Sequence, residues 1–157
     1  MRNMFQDEVG RELRNLPSGY AVRFYDRRSF GVPFPKQPAD YLVVHKGRVW
    51  FLECKSCHQP SFPFKNVQEH QLLELERATT AGARALFLVC DRRTRGSFRL
   101  YCIEPGAMRN LMSGDRRSAT WASLAAVSVF SKVKSPAGWD LAELFENDRF
   151  IREETHG

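Results

Sequence analysis

Two apolar runs, residues 41–44 and 49–52, flank a short turn at Lys46 and Gly47. Val, Leu and aromatic side chains occupy successive positions in both runs, so neither run has an evident solvent-facing side. Strands with this composition are typically buried on both faces. The pattern therefore predicts a buried β-hairpin from residue 40 to residue 55, and this hairpin constrains the rest of the fold.

Charged residues stand at the open end of this hairpin. Side chains alternate along a strand, so Glu53 and Lys55 lie side by side while Cys54 points the other way. Asp40, at the start of the first strand, lies across from the same strand end. Carboxylates hold divalent cations, and a lysine beside them offsets charge growing on a phosphate. The layout is typical of a metal-dependent phosphodiesterase, although an Asp at a turn and a Glu-x-Lys pair are also common solvated features.

The remaining periodicities predict an α/β fold, a mixed central β-sheet with helices on its faces. The predicted helices span residues 4–16, 66–81, 106–112 and 140–146, and further strands span residues 20–25, 85–90 and 98–103. Asn66 and Asp140 are predicted to cap the second and the last helix.

Three other segments have no regular pattern. Residues 26–37 and 56–65 are predicted loops, and residues 113–133 are predicted to be irregular. The 157 residues are enough for one globular domain, with its core over about residues 4–104 and a C-terminal segment over residues 105–157.

A metal site at the mouth of the hairpin needs a further carboxylate from another element. Glu8 and Glu12 lie one turn apart on one face of the first helix, whereas Asp7 is expected to point away. Either glutamate is a candidate ligand, and pairing with a nearby arginine is the structural alternative. Gln71, on the inward side of the second helix, is placed to reach a metal-bound water, or to satisfy backbone groups.

Charge and cysteine content narrow the function classes. The chain has 24 Lys and Arg against 18 Asp and Glu, a net charge of +6, which favours an anionic partner such as nucleic acid. No apolar run is long enough to span a membrane, and no signal-peptide core is present, so we expect a cytoplasmic protein. Cys54 and Cys57 form a C-x-x-C pair, but without a second pair a zinc site is not favoured.

Several short motifs resemble those of the PD-(D/E)xK nuclease superfamily, and in particular the Holliday junction resolvases of the archaeal Hjc and bacterial RecU types. The superfamily motif matches Asp40 and the triplet of Glu53, Cys54 and Lys55, although Ala39 separates Asp40 from Pro38. Glu8 stands at the family's distance from the Gly-aromatic-Ala-Val-Arg segment at residues 19–23. Residues 61–66 and 69–71 are similar to a RecU loop and helix start. The long insertion of RecU proteins is missing, since only residues 26–37 fill its place.

The resemblance implies a restriction-endonuclease-like fold and a homodimeric endonuclease that cuts four-way DNA junctions with paired nicks. It implies Mg²⁺, with Mn²⁺ as a substitute, held by Glu8, Asp40, Glu53 and the Cys54 carbonyl oxygen. Lys55 would orient the attacking water and Gln71 would position it. For such a function the candidate phosphate contacts are Arg23, Arg27, Arg28, Ser29 and Lys65. Phe62 and Phe64 are candidate wedges at the branch point, as in other DNA-bending proteins, or else anchors of their loop on the core. The expected location is the cytoplasm of a prokaryote, or of a host cell if a phage encodes the chain.

Two other functions are compatible with the same residues. One is a nuclease of the same superfamily that cuts ordinary duplex DNA in restriction or repair. The other is a DNA-binding protein that has kept the fold without catalysis, which the complete set of candidate catalytic residues disfavours.

Overall fold

The computed structural model describes residues 3–25 and 36–147. The helices in these ranges are α1 (Met4–Arg14), α2 (Glu69–Thr80), α3 (Pro105–Met112), α4 (Trp121–Val127) and α5 (Ala142–Phe145). The strands are β1 (Gly19–Arg23), β2 (Tyr41–His45), β3 (Arg48–Cys57), β4 (Ser61–Pro63), β5 (Arg84–Asp91), β6 (Arg99–Ile103), β7 (Ser118–Thr120) and β8 (Phe130–Val133). None of these helices is long and apolar enough to cross a membrane.

Within the described residues, the main sheet has six strands in the order β1-β2-β3-β5-β6-β8. Strands β3 and β5 run parallel, and every other neighbouring pair is antiparallel. A parallel pair needs a crossover connection, and α2 lies in the one between β3 and β5. The mixed sheet and the buried hairpin, formed by β2 and β3, confirm the predicted fold class. Strands β4 and β7 form a separate two-stranded sheet.

Each face of the main sheet carries its own apolar core. Helix α1 covers one face, where the buried side chains include Phe5, Val9, Leu13, Trp50, Leu52 and Trp139. Helices α2, α3 and α4 and the small sheet cover the other face, where they include Phe62, Leu72, Leu75, Phe87, Val89 and Trp121. Strand β3 contributes to both cores because its side chains alternate, as the hairpin pattern requires.

Tight packing joins α1 to the sheet at Gly10. The Tyr41 hydroxyl group donates a 2.9 Å hydrogen bond to the carbonyl oxygen of Gln6 and lies where a Cβ atom on residue 10 would be. A side chain at this position would collide with the tyrosine, so the glycine permits the close approach of helix and strand.

The segment after residue 104 is more regular than predicted. It contains β7, α4 and β8 in addition to the predicted α3, and β8 forms the outer strand of the main sheet beside β6. The carboxylate of Glu12 on α1 accepts hydrogen bonds from the backbone N–H groups of Trp139 (2.7 Å) and Leu141 (3.0 Å). The first helix therefore holds a segment that follows it by about 130 residues.

Two predicted helix caps are wrong. Helix α2 begins at Glu69 after Gln68, while Asn66 belongs to a 3₁₀ turn (Phe64–Asn66) that precedes it. Helix α5 is capped by Leu141, while Asp140 has a φ of 51° and pairs with Lys132 at 3.3 Å. The predicted loop over residues 56–65 also holds the end of β3 and all of β4.

Candidate active site

The open end of the β2–β3 hairpin brings Asp40, Glu53 and Lys55 together. Asp40 directly precedes β2, and its Oδ2 atom accepts a 2.8 Å hydrogen bond from the backbone N–H of Cys54. The N–H and C=O groups of one strand residue point to the same side, so the Cys54 carbonyl also lies on the Asp40 side of β3. Glu53 and Lys55 project from the α2 face of the strand, with Lys55 Nζ 3.3 Å from Glu53 Oε1.

Gln71 in the first turn of α2 connects the glutamate and the lysine. Its Nε2 atom donates to Glu53 Oε1 at 2.9 Å, and its Oε1 atom accepts from Lys55 Nζ at 2.8 Å. The same Oε1 atom accepts from the backbone N–H of Gln68 at 3.2 Å, which ties the side chain to the start of its helix. Both ends of the amide are thus occupied, and Gln71 fixes the positions of Glu53 and Lys55 relative to each other.

The carboxylates of Glu53, which is buried, and Asp40, which is half-buried, are in an electrostatically unfavourable position. Burial and the negative charge of Asp40 together raise the pKa of Glu53 to about 7, although Lys55 opposes both effects. Burial also raises the pKa of Asp40, against the Cys54 N–H, Lys55 and Arg23. A divalent cation would relieve both costs, and two carboxylates with a carbonyl oxygen are the hard oxygen donors that Mg²⁺ prefers. The residues therefore fit the predicted cation.

Glu8 does not join this group in the structure, which corrects its predicted place. Its Oε2 atom accepts a 3.0 Å hydrogen bond from Trp139 Nε1, and its Oε1 atom lies 3.2 Å from Lys134 Nζ and 3.8 Å from an Arg92 nitrogen. Within residues 3–25 and 36–147, no group of three or more His, Cys, Asp or Glu side chains could hold a metal ion. The candidate oxygen donors at the end of the hairpin are Asp40, Glu53 and the Cys54 carbonyl.

The helix α1 carboxylate on the Asp40 side is Asp7, contrary to the prediction that it points away. Its Oδ1 atom accepts a 2.9 Å charged hydrogen bond from the guanidinium of Arg23, at the end of β1. Arg23 also lies over the ring of Tyr25, 5.0 Å from its centroid, and its charge lowers the pKa of Asp40. Helical spacing alone predicted that Asp7 points away from the sheet. That spacing does not show that the end of β1, with Arg23, lies beside Asp7.

The predicted DNA contacts have different positions. Phe62 and Phe64 are buried in the core on the α2 face, Phe62 edge-on to Trp121 with ring centroids 6.2 Å apart. Neither ring is available as a wedge, so that prediction is wrong and the alternative, that both anchor their loop on the core, is correct. Lys65, between them and α2, is exposed. Arg27, Arg28 and Ser29 lie outside the described residues.

Comparison with known proteins identifies the family. A family model described as RecU, Recombination protein U, matches residues 31–137, which is more than half of the chain. The chain belongs to the RecU family. RecU proteins are Holliday junction resolvases, so this RecU protein is a junction-resolving endonuclease, and the resemblance noted in its sequence is confirmed.

Solved structures agree on the fold of this RecU protein. The chain is similar to Hjc of Archaeoglobus fulgidus, a Holliday junction resolvase from an archaeal hyperthermophile, with a TM-score of 0.52 and 14% sequence identity. The alignment covers 89% of this chain and 96% of that one. No curated protein matches the sequence. At this identity the likeness shows a shared fold. The chain therefore combines the fold of Hjc with a sequence that matches the RecU family.

Proposed function

We propose that this RecU protein cuts four-way junctions by Mg²⁺-dependent hydrolysis at the site formed by Asp40, Glu53, Lys55 and Gln71. The observation that carries the proposal is the convergence of a buried carboxylate, a half-buried carboxylate, a lysine and an amide at one end of the β2–β3 hairpin. A buried like-charge pair is costly to maintain, and such pairs are characteristic of sites that bind a cation or perform chemistry.

Each residue has a role that its contacts support. The carboxylates of Asp40 and Glu53, with the Cys54 carbonyl, would hold the cation, and Mn²⁺ would substitute for Mg²⁺. When bound there, a divalent cation would supply a water of lowered pKa and would polarise the phosphate. Lys55 orients the attacking water and offsets the negative charge of the transition state. Gln71 is a positioning residue, because it touches Glu53 and Lys55 on either side.

Phosphate contacts around this site would come from nearby basic residues. Lys65 lies beside the backbone of Arg117, whose carbonyl accepts a 2.9 Å hydrogen bond from Phe64 N–H, at the same end of α2 as Gln71. Arg23 lies on the other side, near Asp40. We include Arg27, Arg28 and Ser29, which follow β1 in the sequence, as further phosphate contacts. Because such contacts read the backbone, binding should be independent of sequence and weaken with salt.

Selectivity for a junction would come from a homodimer. Two copies related by a twofold axis present two active sites, and these can face two opposed strands of one junction. Paired nicks in those strands resolve the junction. The protein would act in the cytoplasm of a prokaryote, or of a host cell if a phage encodes it.

A cleavage assay tests the proposal. Wild-type protein with Mg²⁺ should nick a synthetic four-way junction much faster than a linear duplex of the same sequence, and EDTA should stop both reactions. Asp40→Asn and Glu53→Gln should each abolish cleavage and leave junction binding in place, while Glu74→Gln, on the exposed surface of α2, should cut normally. Full cleavage by Asp40→Asn or Glu53→Gln would contradict the assignment of the active site. Equal cutting of junction and duplex would instead favour a duplex nuclease.

A further inference from the structure

The turn between β5 and β6 is strongly basic. Residues 91–99, called the basic turn here, contain four arginines and one aspartate, a net charge of +3 within nine residues. Arg93, Arg95 and Arg99 are exposed, as are all of residues 93–97. Exposed like charges at this density repel one another, and an anionic partner would remove that repulsion.

The basic turn lies at the same end of the strands as the candidate active site. Strands β3 and β5 are parallel and pair Cys57 with Asp91, so the end that carries Lys55 also carries the turn. The backbone N–H of Arg92 donates a 2.9 Å hydrogen bond to the Cys57 carbonyl. Standard strand spacings put the Cα atoms of Lys55 and Asp91 about 8 Å apart. DNA whose backbone reaches Lys55 therefore runs close to the turn.

The turn is also held in a defined shape. Arg93 donates to both carboxylate oxygens of Asp91, from Nε at 3.0 Å and from Nη2 at 2.8 Å, and its guanidinium lies over the ring of Trp121. Arg92 lies over the ring of Phe98, 4.4 Å from its centroid. Gly96, with a φ of 80°, allows the chain to reverse, and Ser97 N–H donates to the Thr94 carbonyl. Arginines fixed in this way lose little conformational freedom when they bind a phosphate.

We propose that the basic turn binds the phosphate backbone of a junction arm beyond the scissile bond. This inference rests on the proposed function, because it takes junction DNA as the ligand of the neighbouring site. Arg95 and Arg99 make the outer contacts, and Arg93 presents its remaining N–H groups from a position set by Asp91 and Trp121. Guanidinium groups match phosphate oxygens with two parallel hydrogen bonds, and each such contact releases counterions from the DNA. The turn therefore adds affinity without adding sequence preference.

The test is junction binding by Arg95→Ala/Arg99→Ala across a salt series in EDTA, where no cutting occurs. We avoid substituting Arg93, because its loss would leave the buried Asp91 carboxylate without its partner. The control is Arg14→Ala/Arg77→Ala, which removes the same two charges from exposed positions in the last turns of α1 and α2, at the opposite edge of the sheet. Far-ultraviolet circular dichroism verifies that both double variants are folded.

Loss of two phosphate contacts should weaken binding by about tenfold at 0.2 M salt and reduce the slope of log K against log salt by about 2. A linear duplex should show the same loss, since the contacts are to the backbone. Affinity and slope equal to those of the control would overturn the inference. Its outcome is separate from that of the cleavage assay: binding can respond to the turn when wild-type protein fails to cut, and cutting can proceed when the turn contributes nothing.

Discussion

Replacing Glu53 with Gln should stabilise the protein when no divalent cation is present, although it removes a proposed catalytic group. Glu53 is 5% exposed and has its pKa raised to about 7 by burial and by the charge of Asp40. Glutamine has the shape of the neutral acid and can keep the hydrogen bond to Gln71. The substitution therefore removes an unfavourable charge without leaving a cavity.

The pH dependence follows from the direction of this pKa change. Below the ordinary pKa of 4.5 the carboxyl is neutral in the folded and unfolded chains, so wild type and variant should be similar. As pH rises above 4.5 the unfolded chain loses this proton first, and wild-type stability falls until the pH exceeds about 7. The difference between the two pKa values corresponds to about 3 kcal/mol at pH 8. At pH 5 it should be under about 1 kcal/mol.

Urea unfolding in EDTA at pH 5 and pH 8 measures the effect, provided that the slope of free energy against denaturant is unchanged. Glu69→Gln is the control, because Glu69 is largely exposed and its ion pair with Arg109 is worth under about 1 kcal/mol. Mg²⁺ at 1,000 times its dissociation constant should then reverse the order, since it adds about 4.1 kcal/mol to wild type alone. The reasoning would be refuted if Glu53→Gln were no more stable than wild type at pH 8. It would also be refuted if the variant's stability advantage at pH 5 were as large as at pH 8.

Three further outcomes are expected. Glu8→Gln and Trp139→Phe should each lower the free energy of unfolding by about 1–2 kcal/mol and retain junction cleavage; loss of cleavage in Glu8→Gln alone would show that Glu8 is a metal ligand after all. Gly10→Ala should destabilise the protein by about 1–3 kcal/mol through its clash with the tyrosine hydroxyl, whereas Gly106→Ala, which meets open space, should be neutral or stabilising by up to about 1 kcal/mol in thermal unfolding. Gln71→Ala should reduce kcat by up to about 100-fold and move the acidic limb of the kcat–pH profile upward, because Glu53 loses a hydrogen-bond donor; a lower kcat with an unmoved profile would contradict the positioning role.

The site was predictable from sequence where local geometry determines it. Alternation along β3 places Glu53 beside Lys55, and antiparallel pairing with β2 returns the chain so that Asp40 lies at the same end. The inward side of α2 was likewise readable from Leu72 and Leu75, which brought Gln71 to the site. These inferences need only the period of one element or the register of one hairpin.

Predictions failed where a partner distant in sequence decides the position of a side chain. Phe62 is buried because β4 pairs with β7, which places its ring against Trp121. The sequence near residue 62 does not indicate that pairing. Glu8 has the spacing of a ligand, yet its hydrogen-bond donor is Trp139, 131 residues later. Strand β8 is short and alternates between half-buried and exposed positions, so its sequence gives a weak signal until β6 is beside it.

The hydrogen bonds between α1 and residues 139–141 determine when this side of the sheet can fold during synthesis. The helix leaves the ribosome well before the groups that satisfy the carboxylates of Glu8 and Glu12, because those groups lie 127 to 131 residues later in the chain. Until then one side of the sheet lacks Trp139, whose ring packs edge-on against Phe5. A nascent chain therefore cannot complete this core until residues 139–141 have emerged, so this face of the nuclease folds after the β2–β3 hairpin has been made.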